Sequence, residues 1–262
     1  MKILFIGDIV GSPGRMAVKE LMPPLVKNKK IDFVIANAEN AAGGSGITPD
    51  IAEELLGYGV DVLTSGDHIW KKKELYDLLN TDKRILRPAN YPAGSPGSGA
   101  TIVKSRDGIK VGVINLLGRV FLSTIDCPFK TGQRLVEELR EKTNIIIIDI
   151  HAEATSEKIA LGRFLDGLVS AIIGTHTHVQ TADEQILQKG TAYLTDAGMT
   201  GPFDSIIGRK VDQILERFLT QMPTKFEMAT DDVRLQGVIV EIDDKTGKAL
   251  GIKRVHEKLE DK

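Results

Sequence analysis

Short apolar runs rich in Ile, Val, Leu and Phe recur along the chain, and Gly, Asn or Asp bounds each of them. Runs of four to eight such residues are typical of buried β-strands. The pattern predicts strands at 2–7, 33–38, 60–64, 101–104, 110–116, 144–149, 169–174 and 191–195. Near the C-terminus, residues 234–255 predict two further strands joined by an Asp-Lys-Thr-Gly turn.

Segments of helical character separate most of these strands. After a turn at 11–15, the first helix is predicted at 16–27, with Pro23 and Pro24 bending or ending it. Thr48 and Pro49 are a favourable N-cap and first residue for a second helix, which Gly57 and Gly59 end. Further helices are predicted at 71–79, 133–142, 156–165 and 211–220, and irregular loops at 86–100, 118–130 and 196–210. This alternation indicates an α/β fold, with one mixed sheet or two packed sheets and helices outside, in a single domain over 1–262.

The composition narrows the class of protein. The chain has 262 residues, of which 42% are hydrophobic and 27% charged, the usual balance of a globular protein. A net charge of -2 offers no basic surface for duplex nucleic acid, whereas a small or single-stranded nucleotide stays open as a substrate. Cys127 is the only cysteine, and the first residues lack the features of a signal peptide. No apolar stretch reaches the roughly 18 residues of a membrane span, so we expect a cytoplasmic protein off the membrane.

Metal-binding residue types follow five of the predicted strands. The side chains in question are those of Asp8, Glu39 with Asn40, Asp67 with His68, His151, and His176 with His178. Ligands of open α/β sheets bind beyond the carboxyl ends of the strands, so these side chains are expected to meet. Carboxylates, an amide and imidazoles together suit a pair of divalent transition metals and the hydrolytic chemistry that they support.

The strongest single signal is the segment 174–178, Gly-Thr-His-Thr-His. Residues two apart on an extended segment point to the same side, so His176 and His178 are both expected to face the site. Each strand-end residue also has a structural interpretation on its own. Asp8 can serve a helix N-terminus, and Asn40 can serve a turn. Five independent coincidences are a poorer explanation than one metal site.

The remaining motifs give weaker evidence about the function. The chain has neither a Walker A pattern nor a Gly-x-Gly-x-x-Gly fingerprint, and it lacks a Gly-x-Ser-x-Gly nucleophile elbow. Residues 11–15 are interpreted as a tight turn, although their N–H groups and Arg15 also fit a phosphate. In the 86–100 loop, Arg87 and Asn90 are candidate contacts to a substrate phosphate or base, and Arg87 is as readily a surface ion-pair partner. His256 is interpreted as a solvated residue.

The ordered blocks Asp8, Glu39-Asn40, Gly66-Asp67-His68, His151 and the 174–178 segment resemble the calcineurin-like metallophosphoesterase pattern. More narrowly, GDIVGSPGR, NAEN, GGSGIT, RPANYP, NLLGRVF and TDAGMTGP resemble the YmdB-like bacterial phosphodiesterases over nearly the whole chain. The resemblance implies a calcineurin-like sandwich of two mixed β-sheets flanked by helices. It also implies a dinuclear centre of Fe, Mn or a similar metal, and hydrolysis of 2′,3′-cyclic or 3′,5′-cyclic AMP.

In the hypothesis that follows, one metal is held by Asp8, Glu39 and His178, and the other by Glu39, Asp67, His151 and His176, so that Glu39 bridges the two. A hydroxide between the metals attacks phosphorus. His68 then protonates the leaving oxygen as a general acid. Asn40 is expected at the metal site and as a substrate contact, where it would donate to a ligand water or to a phosphate oxygen.

The chain departs from the wider pattern at three places: Val10 stands where a His is usual, Glu39 where an Asp is usual, and Asp67 where an Asn is usual. Asp67 adds a negative charge that would hold its metal more tightly or lower the Lewis acidity of that metal.

Two other functions stay open: a metal-dependent phosphomonoesterase or nucleotidase, and a metal-binding regulatory protein with little turnover. A homo-oligomer is compatible with the sequence.

Overall fold

The computed structural model describes residues 1–260 and places its strands in two β-sheets. The strands are β1 Lys2–Ile6, β2 Asp8–Ile9, β3 Phe33–Asn37, β4 Val62–Thr64, β5 Ala100–Lys104, β6 Lys110–Leu117, β7 Ile145–His151, β8 Ala171–Thr175, β9 Gln185–Ile186, β10 Ala192–Leu194, β11 Met199–Pro202, β12 Val233–Ile242 and β13 Ala249–Lys258. The helices are α1 Gly11–Lys29, α2 Pro49–Gly57, α3 Tyr76–Thr81, α4 Pro128–Arg140, α5 Thr155–Phe164 and α6 Val211–Thr220.

Both sheets are mixed. The first has the order β2-β11-β12-β1-β3-β4, with β13 beside β12, and β1, β3 and β4 run parallel. The second has the order β5-β6-β7-β8-β10-β9, in which the four central strands are parallel. Parallel strands need crossover connections, and the helices that supply them lie on the outer faces of the sheets.

Successive apolar side chains of a strand point to opposite faces of its sheet, and they form a core of three layers. On β1, Ile3 and Phe5 pack between the two sheets, and Leu4 and Ile6 face α1 and α2 on the outside. A third cluster packs α4 and α5 against the outer face of the second sheet. Strands buried on both faces explain why the runs were continuously apolar instead of alternating.

The predicted elements are present, and their boundaries differ in places. The turn predicted at 11–15 is wrong, because α1 begins at Gly11. Pro13 lies in the first turn of α1, where backbone N–H groups have no acceptor within the helix, so the missing N–H of proline costs no hydrogen bond. Pro23 and Pro24 lie inside the helix and do not end it. Arg15 donates to the Ala41 carbonyl and pairs with the Glu54 carboxylate, so it is not free for a phosphate.

Three other segments differ from expectation. The helix predicted at 71–79 is two short 3-10 segments, Asp67–Lys71 and Lys73–Leu75, followed by α3. Helix α4 begins five residues before its predicted start, with Pro128 in its first turn. The loop predicted at 196–210 contains β11, which pairs with the short strand β2. Among the described residues, no helix is long and apolar enough to cross a membrane.

Candidate metal centre

Four side chains from both sheets converge at the carboxyl ends of their strands. Glu39 follows β3, Asp67 follows β4, His151 is the last residue of β7, and His176 follows β8. One ligand atom from each lies within 4.8 Å of every other. This spread is about twice the length of a bond from a divalent transition metal to nitrogen or oxygen, roughly 2.0–2.2 Å. The four atoms therefore suit a single shared ion.

Two buried carboxylate oxygens lack a hydrogen-bond partner among the described residues, and both belong to this site. They are Oδ1 of Asp8 and Oδ1 of Asp67. Asp8 is fully buried, and its other oxygen accepts from the His176 N–H at 3.1 Å. Nearly all buried polar groups in folded proteins are satisfied, so these two oxygens, which lie 3.8 and 3.6 Å from ring nitrogens of His151, are available to a cation.

Gly66 leaves room for the cluster. A Cβ at this position would lie 2.2 Å from Oε2 of Glu39 and 2.2 Å from Nε2 of His151. The φ of Gly66 is −146°, outside the left-handed region that favours glycine, so a positive φ is not the reason for this residue. It is required because a side chain would occupy the space in which the ligands meet.

A buried network behind His151 orients its ring. The imidazole Nδ1 lies 2.9 Å from the Thr175 hydroxyl, which donates to Asp149 at 2.7 Å. From the other sheet, Asn37 and Thr64 donate to the same carboxylate at 2.9 and 2.5 Å. Because the threonine hydrogen goes to Asp149, Nδ1–H of the ring donates to the hydroxyl and Nε2 faces the cluster. Such hydrogen bonds fix the tautomer of metal-binding histidines.

The turn that carries His176 and His178 has an unusual backbone. Both residues have positive φ, 98° and 64°, so the extended geometry assumed from their spacing is wrong. Asp196 holds the turn by accepting from the N–H and hydroxyl of Thr177 at 3.1 and 2.8 Å. Its charge is paired with Lys158 at 2.8 Å, and both side chains are fully buried. The strained turn is thus supported by a buried ion pair.

His178, Asn40 and His68 form the other side of the site. Nδ1 of His178 lies 3.3 Å from the Ile207 carbonyl, which leaves Nε2 facing the Asn40 side chain at 3.1 Å. The Asn40 amide donates to Glu39 at 3.0 Å, and its oxygen lies 2.9 Å from Nδ1 of His68. His68 is about one third exposed.

The electrostatics of the cluster follow from burial and close opposite charges. Burial alone would lower the pKa of His151, but Glu39 and Asp67 outweigh it, and the pKa lies well above its usual range. Burial would raise the pKa of Glu39, but His151 and His68 hold it well below its usual range. Burial raises the pKa of Asp8 and lowers the pKa of His178 to about 4. The pKa values of His151 and His68 are raised by the nearby carboxylates, so protons on these two histidines offset part of the negative charge of the cluster.

A cleft of about 390 Å³ opens over the cluster. Its lining residues are Val10, Glu39, Asn40, Gly44, His68, Glu153, His176, Thr177, His178, Ile207 and Arg209. Arg87 and Asn90, the expected substrate contacts, do not line it. Arg87 donates to the carbonyls of Pro88, Ala89 and Pro96, and Asn90 donates to those of Leu117 and Asp126. Arg87 is thus used within its own loop, and Asn90 connects that loop to β6 and to the 118–130 segment, so neither side chain contributes to the cleft.

Sequence reasoning overlooked several residues of the site: Asn37, Thr64, Glu153, Thr175, Asp196 and Arg209. Asp149 precedes His151 by two residues on one strand face, a spacing from which its partnership with the histidine was predictable. His256 lies exposed on β13, as expected.

Comparison with known proteins shows which family of proteins this chain is similar to. The profile of the YmdB-like protein family matches residues 4–255. The chain is 51% identical to a protein of Bacillus subtilis named 2′,3′-cyclic-nucleotide 2′-phosphodiesterase, over 97% of this chain and 96% of the relative. A solved structure of a Thermus thermophilus protein has a TM-score of 0.92 at 41% identity, covering 98% of this chain and 99% of that one. A Mycoplasma pneumoniae structure described as a novel phosphatase also has a TM-score of 0.92, at 34% identity and with 98% and 93% coverage. The expected two-sheet α/β sandwich is confirmed.

Proposed function

The chain belongs to the YmdB-like protein family, and on that premise we propose that it is a metal-dependent phosphodiesterase that hydrolyses cyclic nucleotides of the 2′,3′-cyclic or 3′,5′-cyclic AMP type. The observation that carries this proposal is the convergence of Glu39, Asp67, His151 and His176 within 4.8 Å. These four are the set expected for one of the two metals. Because both sheets contribute to one site, we also propose that the chain acts as a single domain.

In this proposal a second ion would be held by Asp8, Glu39 and His178, so that Glu39 would serve both ions. The orphaned oxygen of Asp8 supports this assignment, as does the direction in which His178 turns Nε2. Mixed nitrogen and oxygen donors suit Fe, Mn or a similar transition metal. When bound, the ions would supply Lewis acidity to the phosphoryl group and a nucleophile from water at neutral pH.

His68 is the proposed general acid. Its ring lies in the cleft, outside the group of four ligands, and Asn40 orients it through Nδ1. In the reaction one water molecule adds to phosphorus, the ester P–O bond breaks, and Nε2 of His68 delivers a proton to the leaving ribose oxygen. A water proton then restores the ring, so the ring is unchanged over one turnover.

The size of the cleft supports a small substrate. A volume of about 390 Å³ lies in the range of small-molecule sites, about 300–1,000 Å³. A cyclic mononucleotide suits such a cleft better than a folded nucleic acid does. The name of the Bacillus subtilis relative supports the same class of substrate.

The test is a substrate panel on protein reconstituted with Fe(II) or Mn(II). It compares bis-p-nitrophenyl phosphate, the 2′,3′-cyclic and 3′,5′-cyclic nucleotides, and the corresponding monoesters. We expect turnover of diesters in preference to monoesters. We also expect His68→Ala to keep its metals and lose about 10²–10⁴-fold in kcat.

Faster hydrolysis of monoesters would replace the proposal with a phosphomonoesterase. Bound metals with little turnover of any ester would replace it with a regulatory protein. Loss of metal from the His68→Ala protein would remove the role assigned to His68.

A further inference from the structure

One side of the cleft is a tight turn whose residues are not among the proposed metal ligands. Ile206 and Arg209 exchange two backbone hydrogen bonds of 2.9 and 3.0 Å, so the turn has Ile207 and Gly208 at its centre. Both central residues have positive φ, 45° and 92°, as a type I′ turn requires. A β-branched residue is unfavourable there, so the shape of the turn is maintained against a local cost.

The turn directs Arg209 into the cleft. Among the side chains that line the cleft, Arg209 is the one that carries the permanent positive charge of a Lys or Arg. Its Nη1 and Nη2 donate to the carbonyls of Gly43 and Gly44, at 3.3 and 2.9 Å. Within residues 1–260 it forms no ion pair with a carboxylate. A guanidinium has five N–H donors, so most of its donor capacity is still available.

The neighbouring Gly-rich loop is shaped around this side chain. A Cβ on Gly44 would lie 2.6 Å from Nη2 of Arg209 and 2.5 Å from the sulfur of Met228. The loop therefore holds the guanidinium in place before any ligand arrives. Burial lowers the pKa of Arg209, which reflects the cost of a half-buried cation without a counter-ion. An anion in the cleft would offset that cost.

We propose that Arg209 is a substrate-binding residue that donates to a non-bridging phosphoryl oxygen of the phosphodiester. This inference rests on the proposed function. A phosphodiester offers the charge and the planar pair of acceptors that a pre-positioned guanidinium matches. The metals would hold the phosphoryl group at the carboxylates, and Arg209, which lines the same cleft, would add a charge-assisted hydrogen bond. The cation therefore selects for phosphate esters and contributes to binding.

The experiment compares Arg209→Gln and Arg209→Lys with the control Arg134→Gln. Arg134 is an exposed residue of α4 that pairs only with Glu138 among the described residues, so the control makes the same chemical change away from the cleft. We expect Arg209→Gln to raise KM at least tenfold for both bis-p-nitrophenyl phosphate and a 2′,3′-cyclic nucleotide. In the same variant kcat should stay within about threefold and the metal content should be unchanged. Arg209→Lys should recover part of the KM, because the charge is kept.

Three results would overturn the proposal. An unchanged KM would show that the guanidinium does not contact substrate. A joint loss of kcat and metal content would show that Arg209 only supports the Gly-rich loop. A raised KM for the nucleotide but not for bis-p-nitrophenyl phosphate, which has no base or ribose, would place the contact on the nucleoside.

A second readout does not depend on turnover. Calorimetric titration of inorganic phosphate into the Mn(II)-loaded proteins should give at least a tenfold higher Kd for Arg209→Gln than for the wild type and the Arg134→Gln control. If the wild type binds phosphate in this way but hydrolyses no ester, the proposed function fails and the Arg209 assignment stands. If the wild type hydrolyses diesters and the two Kd values are equal, the assignment fails alone.

Discussion

The substitution Thr175→Val removes the hydroxyl that lies behind the four candidate metal ligands and keeps the shape of the side chain. In the native protein this hydroxyl connects His151 to Asp149 through hydrogen bonds of 2.9 and 2.7 Å. Without it, Nδ1 of His151 loses the acceptor that fixes the tautomer. The ring proton can then move to Nε2, where it would block metal binding. Asp149 keeps Thr64 and Asn37 as donors, so its carboxylate stays bound within the core.

Two magnitudes follow from these contacts. Losing a partner behind a metal-binding histidine lowers metal affinity by about 10–100-fold, which is about 1.4–2.7 kcal/mol of binding free energy. Leaving the fully buried Nδ1–H of His151 unsatisfied destabilises the fold by about 1–3 kcal/mol. For a chain of this size that lowers Tm by about 2–4 °C per kcal/mol.

Thr191→Val is the matched control. Thr191 is also fully buried, and its hydroxyl donates to the Val169 carbonyl at 2.7 Å and accepts from the Gly167 N–H at 2.8 Å. It lies just before β10, at the strand end opposite the cluster. Both variants should lose comparable Tm, and only Thr175→Val should lose affinity for Mn(II), measured by chelator competition. Equal Mn(II) affinities for the two variants would refute the role given to the hydroxyl.

Three further predictions test other parts of the site. Gly66→Ala should abolish metal binding in a protein that is still folded by circular dichroism, because its Cβ would lie 2.2 Å from ligand atoms; Gly57→Ala, whose Cβ meets nothing within 4 Å, should bind normally. Lys158→Met should lower the free energy of unfolding, measured in urea, by about 3–5 kcal/mol, since the fully buried Asp196 loses its counter-ion. The raised pKa of His151 means that its proton stabilises the metal-free fold fully below about pH 6.5, and that this stability is lost as the pH rises through the raised pKa. Metal ions replace that proton, so the gain in Tm on adding Mn(II) should be larger at about pH 8.5 than at about pH 6; an equal gain at both pH values would contradict it.

The site residues at the strand ends were predictable because the neighbouring residues in the sequence mark where each strand ends. A strand buried on both faces needs a continuous apolar run, and the polar residues that closely follow such a run lie at the carboxyl end of the strand. Asp8, Glu39, Asp67 and His176 follow this rule. Helix α1 was predicted to start too late, because a Gly and a Pro in its first turn resemble a turn in sequence and are tolerated at a helix start.

The rest of the site depends on contacts between distant parts of the chain. Asp149 is held by Asn37 and Thr64 across the two sheets, and no spacing along the sequence indicates which strands face each other. Arg209 reaches the Gly-rich loop over more than 160 positions. Arg87 was chosen for its charge, but buried carbonyls of its own loop use that charge.

A metal titration of diester hydrolysis tests the proposed metal-dependent activity most directly. Metal-free protein is assayed with a 2′,3′-cyclic nucleotide at increasing equivalents of Mn(II) under anaerobic conditions, in parallel with Glu39→Gln. We expect no turnover without metal, a rate that reaches its maximum at two equivalents per chain, and no comparable rise in the variant. A rate that is independent of Mn(II), or a Glu39→Gln protein that responds as the wild type does, would contradict it.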